Sequence, residues 1–206
     1  DLPKAPADLI PLFTQMRDAI NIQALGEEGA SAMGNLYSEI ILGSVIHEFS
    51  VLRALDIHIT EVDHVDRWPR EGQTESIIIH GRTRDGVRVT VRWFYLDSYP
   101  AYREEVRWVN EFEGHHIIFA SPYIMRIPTE YIHTTRDGID HKEVRFNSYQ
   151  TGFERELEAF HGNITGNTNP PDAISAGRED LELSQKIARV IFQNEKIPVG
   201  GELVTD

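Results

Sequence analysis

The stretch Thr74-Glu75-Ser76-Ile77-Ile78-Ile79-His80-Gly81-Arg82-Thr83, then Arg84-Asp85-Gly86, then Val87-Arg88-Val89-Thr90-Val91-Arg92-Trp93-Phe94-Tyr95-Leu96 decides the fold of this chain. Apolar residues recur there with a period of two on both sides of Asp-Gly, a dipeptide that readily takes the positive φ of a tight turn. The segment therefore reads as an antiparallel hairpin. In its second arm Val87, Val89, Val91, Trp93 and Tyr95 point one way, and Phe94 and Leu96 the other. A sheet apolar on both faces wants helices over one of them and a second covering layer over the other.

The same signal recurs on either side. Residues 102–112 and 115–120 flank Glu113-Gly114, residues 127–135 and 141–146 flank Asp137-Gly138, and Ile57, Ile59, Val62 and Val65 begin a strand ahead of a loop at 68–72. Helical periodicity takes over elsewhere. Residues 7–24 carry Leu9, Leu12, Phe13, Met16 and Ile20 at spacings of three or four, after which Gly26 and Gly29 interrupt. A longer helix is expected over 30–55, where Gly34 and Gly43 each cost about 1 kcal/mol relative to alanine and so mark a close approach or a kink. Residues 149–161, with Phe153, Leu157 and Phe160 on one face, and 173–192, with Ile174, Leu181, Ala188 and Ile191, close the pattern, Asp172 serving as an N-cap. The tail after Pro198 reads as irregular or as a short edge strand. The expectation is α+β: one domain over 1–206, with an open, mainly antiparallel sheet of about six strands, helices packed on one face and the other face left for oligomer contacts.

Composition narrows the function. The 206 residues are 40% hydrophobic and 26% charged, which suits a globular domain with a sizeable core. There is no cysteine, which excludes disulfides, thiolate zinc sites and a cysteine nucleophile. A net charge of -13, a pI near 5.1 and scattered basic residues argue against nucleic acid, which requires clustered Lys and Arg. No apolar run approaches the roughly 18–20 residues needed to cross a bilayer, and Asp1-Leu2-Pro3 does not open a signal peptide. A cytoplasmic protein without membrane or nucleic-acid partners is expected, and Asn163-Ile164-Thr165 reads as a chance match to a glycosylation acceptor.

A single histidine stands out in Leu42-Gly43-Ser44-Val45-Ile46-His47-Glu48-Phe49-Ser50-Val51-Leu52-Arg53-Ala54-Leu55. Ile40, Ser44, His47 and Val51 fall at helical spacing, so His47 is expected on an apolar stripe. Read from the residues alone, it is either a core imidazole bonded to a backbone carbonyl or a functional group beside a pocket.

The run Ile46 to Leu55 resembles the H-[ED]-hydrophobic-D-x-L-R-x-L helix of the Gfo/Idh/MocA family, relatives of glucose-fructose oxidoreductase and inositol dehydrogenase. Phe153-Glu154-Arg155-Glu156-Leu157-Glu158-Ala159-Phe160, followed by Gly166 and by Asp172 to Leu183, resembles the family's C-terminal helix pair, F-x-x-E-L-x-x-F through to D-L-x-L. The resemblance spans roughly residues 30–200 and implies the family's C-terminal domain, an open antiparallel sheet that binds substrate and assembles subunits. It further implies an NAD(P)-dependent oxidoreductase acting on a sugar, polyol or related hydroxy compound. His47 would be the catalytic general base and Tyr99 and Tyr102 substrate contacts. Histidine suits proton transfer because its ordinary pKa of about 6.5 lies near working pH.

Two features depart from the family pattern. Gly43 stands where many members carry an aspartate one helical turn before the histidine, and Ser50 replaces the later aspartate. No G-x-G-x-x-G follows a strand, and the family's Glu-Lys-Pro is absent, so these residues cannot build the dinucleotide site. NAD or NADP is accordingly expected in the parent enzyme, with no cofactor-binding residue here and no activity from this chain alone. A chain opening on Asp1 reads as part of a longer one that carries the dinucleotide-binding domain. The competing reading is a non-catalytic, stand-alone sheet domain for oligomerisation or ligand binding.

No metal site is expected. His115 and His116 are adjacent and so face opposite sides of a strand, while His133 and His141 flank a turn near Asp137 and Asp140 without any H-x-x-x-H spacing. The acidic runs at 154–156 and 179–182 read as solvated helix faces.

Overall fold

The computed structural model describes residues 9–70, 73–96, 101–121, 124, 126–166 and 173–204. The chain is α+β, and its strands are antiparallel throughout the described residues. They form two sheets where one of about six strands was expected: β1 (Ile59–Arg70), β2 (Gln73–Thr83) and β3 (Arg88–Trp93) make the first, and β4 (Glu104–Val109), β5 (Glu113–Phe119), β6 (Thr129–Asp137) and β7 (Asp140–Ser148) the second. Turn signals specify pairing within each hairpin and leave open whether β3 and β4 join. Those two do not pair, and the chain forms two compact units, 1–96 with 172–206, and 97–171.

In the first unit β1 extends through Trp68 and Pro69, which the sequence placed in a loop. Proline is tolerated there because β1 is an edge strand and needs no amide on its free side. Register shifts at three points in β1 twist it against β2. Ile77 and Ile79 of the central strand, with Val65 and Val91 from its neighbours, are buried on the inner face.

The helices that cover this unit begin with α1 (Leu9–Asn35), broken at Gly26, whose φ of +75° and ψ of 170° no helix contains. Its early stripe of Leu12, Phe13, Met16 and Ile20 is exposed, and burial starts at Asn21, Ala24 and Leu25. Glycine is required at 26 because Gly200 passes so close that a Cβ would sit 2.8 Å from its Cα. The tail therefore ends in a 3-10 turn (Gly201–Val204) packed at the break, with Leu203 buried, and not in an edge strand.

The expected continuous helix over 30–55 is interrupted. Leu36–Val45 is a π-helix, closed by the Ile46 amide donating to Ile41 O five residues back, and α2 (Ile46–Ala54) follows. Gly34 marks a close approach, as expected: a Cβ there would meet Asn21 Nδ2 at 2.9 Å.

The last helix of this unit, α4 (Ala173–Glu195), buries Leu183, Ser184, Ile187, Ala188, Ile191 and Phe192 at helical spacing. Leu181 and Ile174, assigned to that face from sequence, are exposed. The stripe that starts at Leu183 lies to one side of theirs, and the two share only Ala188 and Ile191. Arg67, on the inner sheet face with its side chain 8% exposed, pairs with Glu75 at 2.8 Å and with Glu195 of α4 at 3.1 Å.

The second unit holds the four-stranded sheet and α3 (Gly152–Ile164), which starts with a capping box between Thr151 and Glu154. Its register is unbroken. Trp108, His115, His133 and Val144 form one row across the strands, and Val106, Ile117, Tyr131 and Phe146 form the next on the same face. Arg107, His116, Ile132 and Arg145 lie on the opposite face.

Candidate functional site

The first segment that carries the family resemblance meets the D-L-x-L end of the second, Asp180 to Leu183, in the first unit; Phe153 to Phe160 of the second lie on α3 in the other unit. Arg53 Nη2 on α2 donates to Asp180 Oδ2 on α4 at 2.7 Å, and Ser50 Oγ donates to the same oxygen at 3.0 Å. Arg53 also donates to Ser50 Oγ at 3.2 Å, which closes a three-membered network. Position 50 lacks the aspartate of the family pattern, and a carboxylate from α4 stands beside it instead. Phe49, Leu52 and Leu183 bury the apolar side of this contact. A shallow cleft beside it is lined by Phe49, Leu52, Arg53, Ile57, Ile59, Glu179, Asp180 and Leu183.

His47 is on α2 but not on its buried stripe. Ile41, Val45, Phe49 and Leu52 face the core, and the His47 ring is exposed. The reason lies one element earlier: a π-helix carries more residues per turn than an α-helix, so although Ile40 is buried, the ten residues 36–45 turn the stripe away from His47, leaving Ser44 and Val51 half-buried. The core-imidazole reading is thereby overturned. Among the described residues no hydrogen bond or ion pair is recorded for the His47 ring, and Ser50, a sequence candidate to bond near it, is committed to Asp180 and to Ile46 O. Of the tyrosines, Tyr99 lies outside the described residues. Tyr102 belongs to the second unit, where its exposed hydroxyl donates to Glu104.

No family model, curated protein or solved structure matches this chain. Its own geometry therefore carries the argument, and in the second unit that geometry presents a group the sequence did not reveal. His115 of β5 lies directly opposite His133 of β6, their rings stacked with centroids 4.6 Å apart and planes 10° from parallel. Trp108 stacks on the other side of His115 at 4.7 Å. Glu113, two residues before His115 and so on the same face, accepts from His133 Nε2 at 2.9 Å and lies 3.6 Å from His115 Nε2. Tyr131 Oη is 2.7 Å from the other ring nitrogen of His115, Nδ1. The hydrogen bond from His133 is the main cause that holds the Glu113 carboxyl below the usual carboxylate range.

Sequence reasoning missed this cluster because it compared His115 with His116 and His133 with His141, neighbours along the chain. The available signal was the i, i+2 pair Glu113 and His115 on a strand, with a second histidine on the next strand.

A dinucleotide finds no cradle among the described residues. The strand followed directly by a helix is β7, and the α3 N-terminus it leads to is closed by the Glu154 carboxylate, which accepts from the Thr151 amide at 2.7 Å. An acid occupies the place a pyrophosphate would need.

Proposed function

We propose that this chain is the substrate-binding and oligomerisation part of an NAD(P)-dependent oxidoreductase of the Gfo/Idh/MocA type, acting on a sugar, polyol or related hydroxy compound. The observation that carries the reading is the Arg53–Asp180 pair. It ties the Ile46–Leu55 run to the Asp180–Leu183 end of the second stretch, far apart in sequence, through one residue of each motif. The exposure of His47 on the same helix also supports it, since a base must reach solvent or a bound substrate. In this reading His47 removes the proton of the substrate hydroxyl, and Tyr99 and Tyr102 contact the substrate. Among the described residues the helix N-terminus that follows a strand is closed by Glu154, and in this reading the nicotinamide is held by another segment of polypeptide.

A second reading, a non-catalytic module for oligomerisation or ligand binding, is favoured by the aromatic face of the four-stranded sheet, where Trp108, Tyr131 and Phe146 are only partly covered. The full-length gene product separates the two. With NAD(P) and a panel of polyols, the enzyme reading expects turnover that His47→Ala lowers by about 100-fold or more while nicotinamide affinity stays within about twofold. Equal turnover in the variant and its parent would remove His47 from the mechanism. A start codon directly before Asp1 in the gene would leave only the module.

A further inference from the structure

We propose that Glu113, His115 and His133 form a binding site for one divalent first-row transition ion of the Zn2+ class. The three offer ligand atoms that all lie within 4.8 Å of one another. Two imidazoles and one carboxylate suit Zn2+, Co2+ or Fe2+, whereas Ca2+ and Mg2+ want oxygen ligands throughout. Three protein ligands complete part of a tetrahedral shell and leave a position for water or for an oxygen of a bound molecule.

The distances are close to what coordination requires. Metal–ligand bonds of about 2.0–2.2 Å at tetrahedral angles set ligand atoms roughly 3.3–3.6 Å apart. Glu113 lies 2.9 Å from His133 Nε2 and 3.6 Å from His115 Nε2, so the carboxylate already faces both ring nitrogens. In the metal-free state a proton on His133 Nε2 bridges to Glu113. When the ion binds, the Nε2 proton leaves to solvent and the His133 ring carries its proton on Nδ1 instead, so that the Nε2 lone pair ligates. The rings tilt toward each other out of their stack, and the carboxylate moves from accepting a hydrogen bond to ligating.

The surroundings act as an outer shell. Tyr131 Oη accepts from His115 Nδ1–H in the bound form, which leaves the Nε2 lone pair directed to the ion. Trp108 limits rotation of the His115 ring on its far side. The two imidazoles are also sheltered, the His115 side chain being 15% exposed and that of His133 30%, while Glu113 at 39% opens the site to solvent.

The first unit supplies an internal comparison. His64 and His80 are likewise opposed across two strands, with Asp66 2.9 Å from one ring and 3.7 Å from the other, but their rings are 6.3 Å apart and the side chains of His64, His80 and Asp66 are 53%, 44% and 46% exposed. That more open set should not close on an ion.

The test is calorimetric titration of the chain with Zn2+ alone, in a buffer that does not chelate, with Co2+ as a spectroscopic probe. The expected result is one ion per chain, with affinity lowered at least about 100-fold in His115→Ala and in His133→Ala, and about 10-fold in Tyr131→Phe. Glu113→Gln keeps the shape of the side chain and an acceptor for His133, and should weaken binding while lowering the unfolding temperature of the metal-free chain only slightly. His64→Ala should bind as the parent does. Zn2+ affinity unchanged by Glu113→Gln and His133→Ala, loss of binding in His64→Ala, or no binding by the parent would each overturn the site.

Discussion

Arg53 and Asp180 form an ion pair of 2.7 Å between α2 and α4, with the Asp180 side chain 7% exposed and that of Arg53 25%. Removing one partner of such a pair strands the other in a poorly solvated place. The cost is then that of an uncompensated charge rather than of a lost surface contact. Asp180→Ala is expected to destabilise the chain by about 3 kcal/mol, and Asp180→Asn by less because it keeps an acceptor for Ser50. Urea unfolding followed by circular dichroism reads both, and a midpoint for Asp180→Ala equal to that of the parent would contradict the pairing.

Two glycines with positive φ should respond differently to alanine. At Gly26 the backbone lies in a region almost confined to glycine, and a Cβ would run into Gly200. At Gly86, φ is +88° but nothing lies within 4 Å of the added carbon. Gly26→Ala is expected to cost more than about 2 kcal/mol and Gly86→Ala about 1 kcal/mol. Thermal unfolding of the two variants side by side checks the order, which must not reverse.

His58 sits between Glu179, 2.6 Å from Nδ1, and Asp56, 3.3 Å from Nε2. The Glu179 hydrogen bond is the main cause that raises its pKa, with Asp56 adding to it. The folded chain thus holds the proton more tightly than the unfolded one. The stabilisation is full below the ordinary histidine value of about 6.5 and is lost as pH rises through the folded value. Both side chains are nearly half exposed, so the gain is small and falls with salt. Nuclear magnetic resonance titration of the ring should give a midpoint above 6.5 that drops in Glu179→Gln; a parent midpoint below 6.5 would be the wrong sign.

The open face of the second sheet presents Phe146, 57% exposed and stacked 5.8 Å from Tyr131. If this face assembles subunits, sedimentation at micromolar concentration should show a dimer or larger, and Phe146→Glu should shift it to monomer. A monomeric parent would remove the oligomer from the proposed function.

Much of this molecule was legible in local pattern. The turns at Arg84-Asp85-Gly86 and Asp137-Gly138 fall between paired strands as read, with Gly86 and Gly138 at positive φ, and Gly26 breaks its helix where the periodicity stopped. No helix among the described residues is long and apolar enough to cross a membrane, as the composition implied. The misreadings share a cause. Ile174 and Leu181 were placed on the apolar face of α4, and His47 on an apolar stripe facing core or pocket, by assuming that apolar residues at helical spacing share one inward face and that every turn is an α-turn.

The sequence by itself determined most helices and strands, their order and two of their turns, because periodicity and glycine at positive φ act within a few positions of themselves; the N-cap read at Asp172 lies outside the described residues. Only the tertiary structure decided that the strands divide between two sheets, that Asp180 reaches Arg53, that a π-turn rotates His47 outward, and that Glu113 stands between His115 and His133. Each of these depends on register or phase between segments distant along the chain, and such relations are set by which surfaces bury one another, a quantity no short stretch of residues contains.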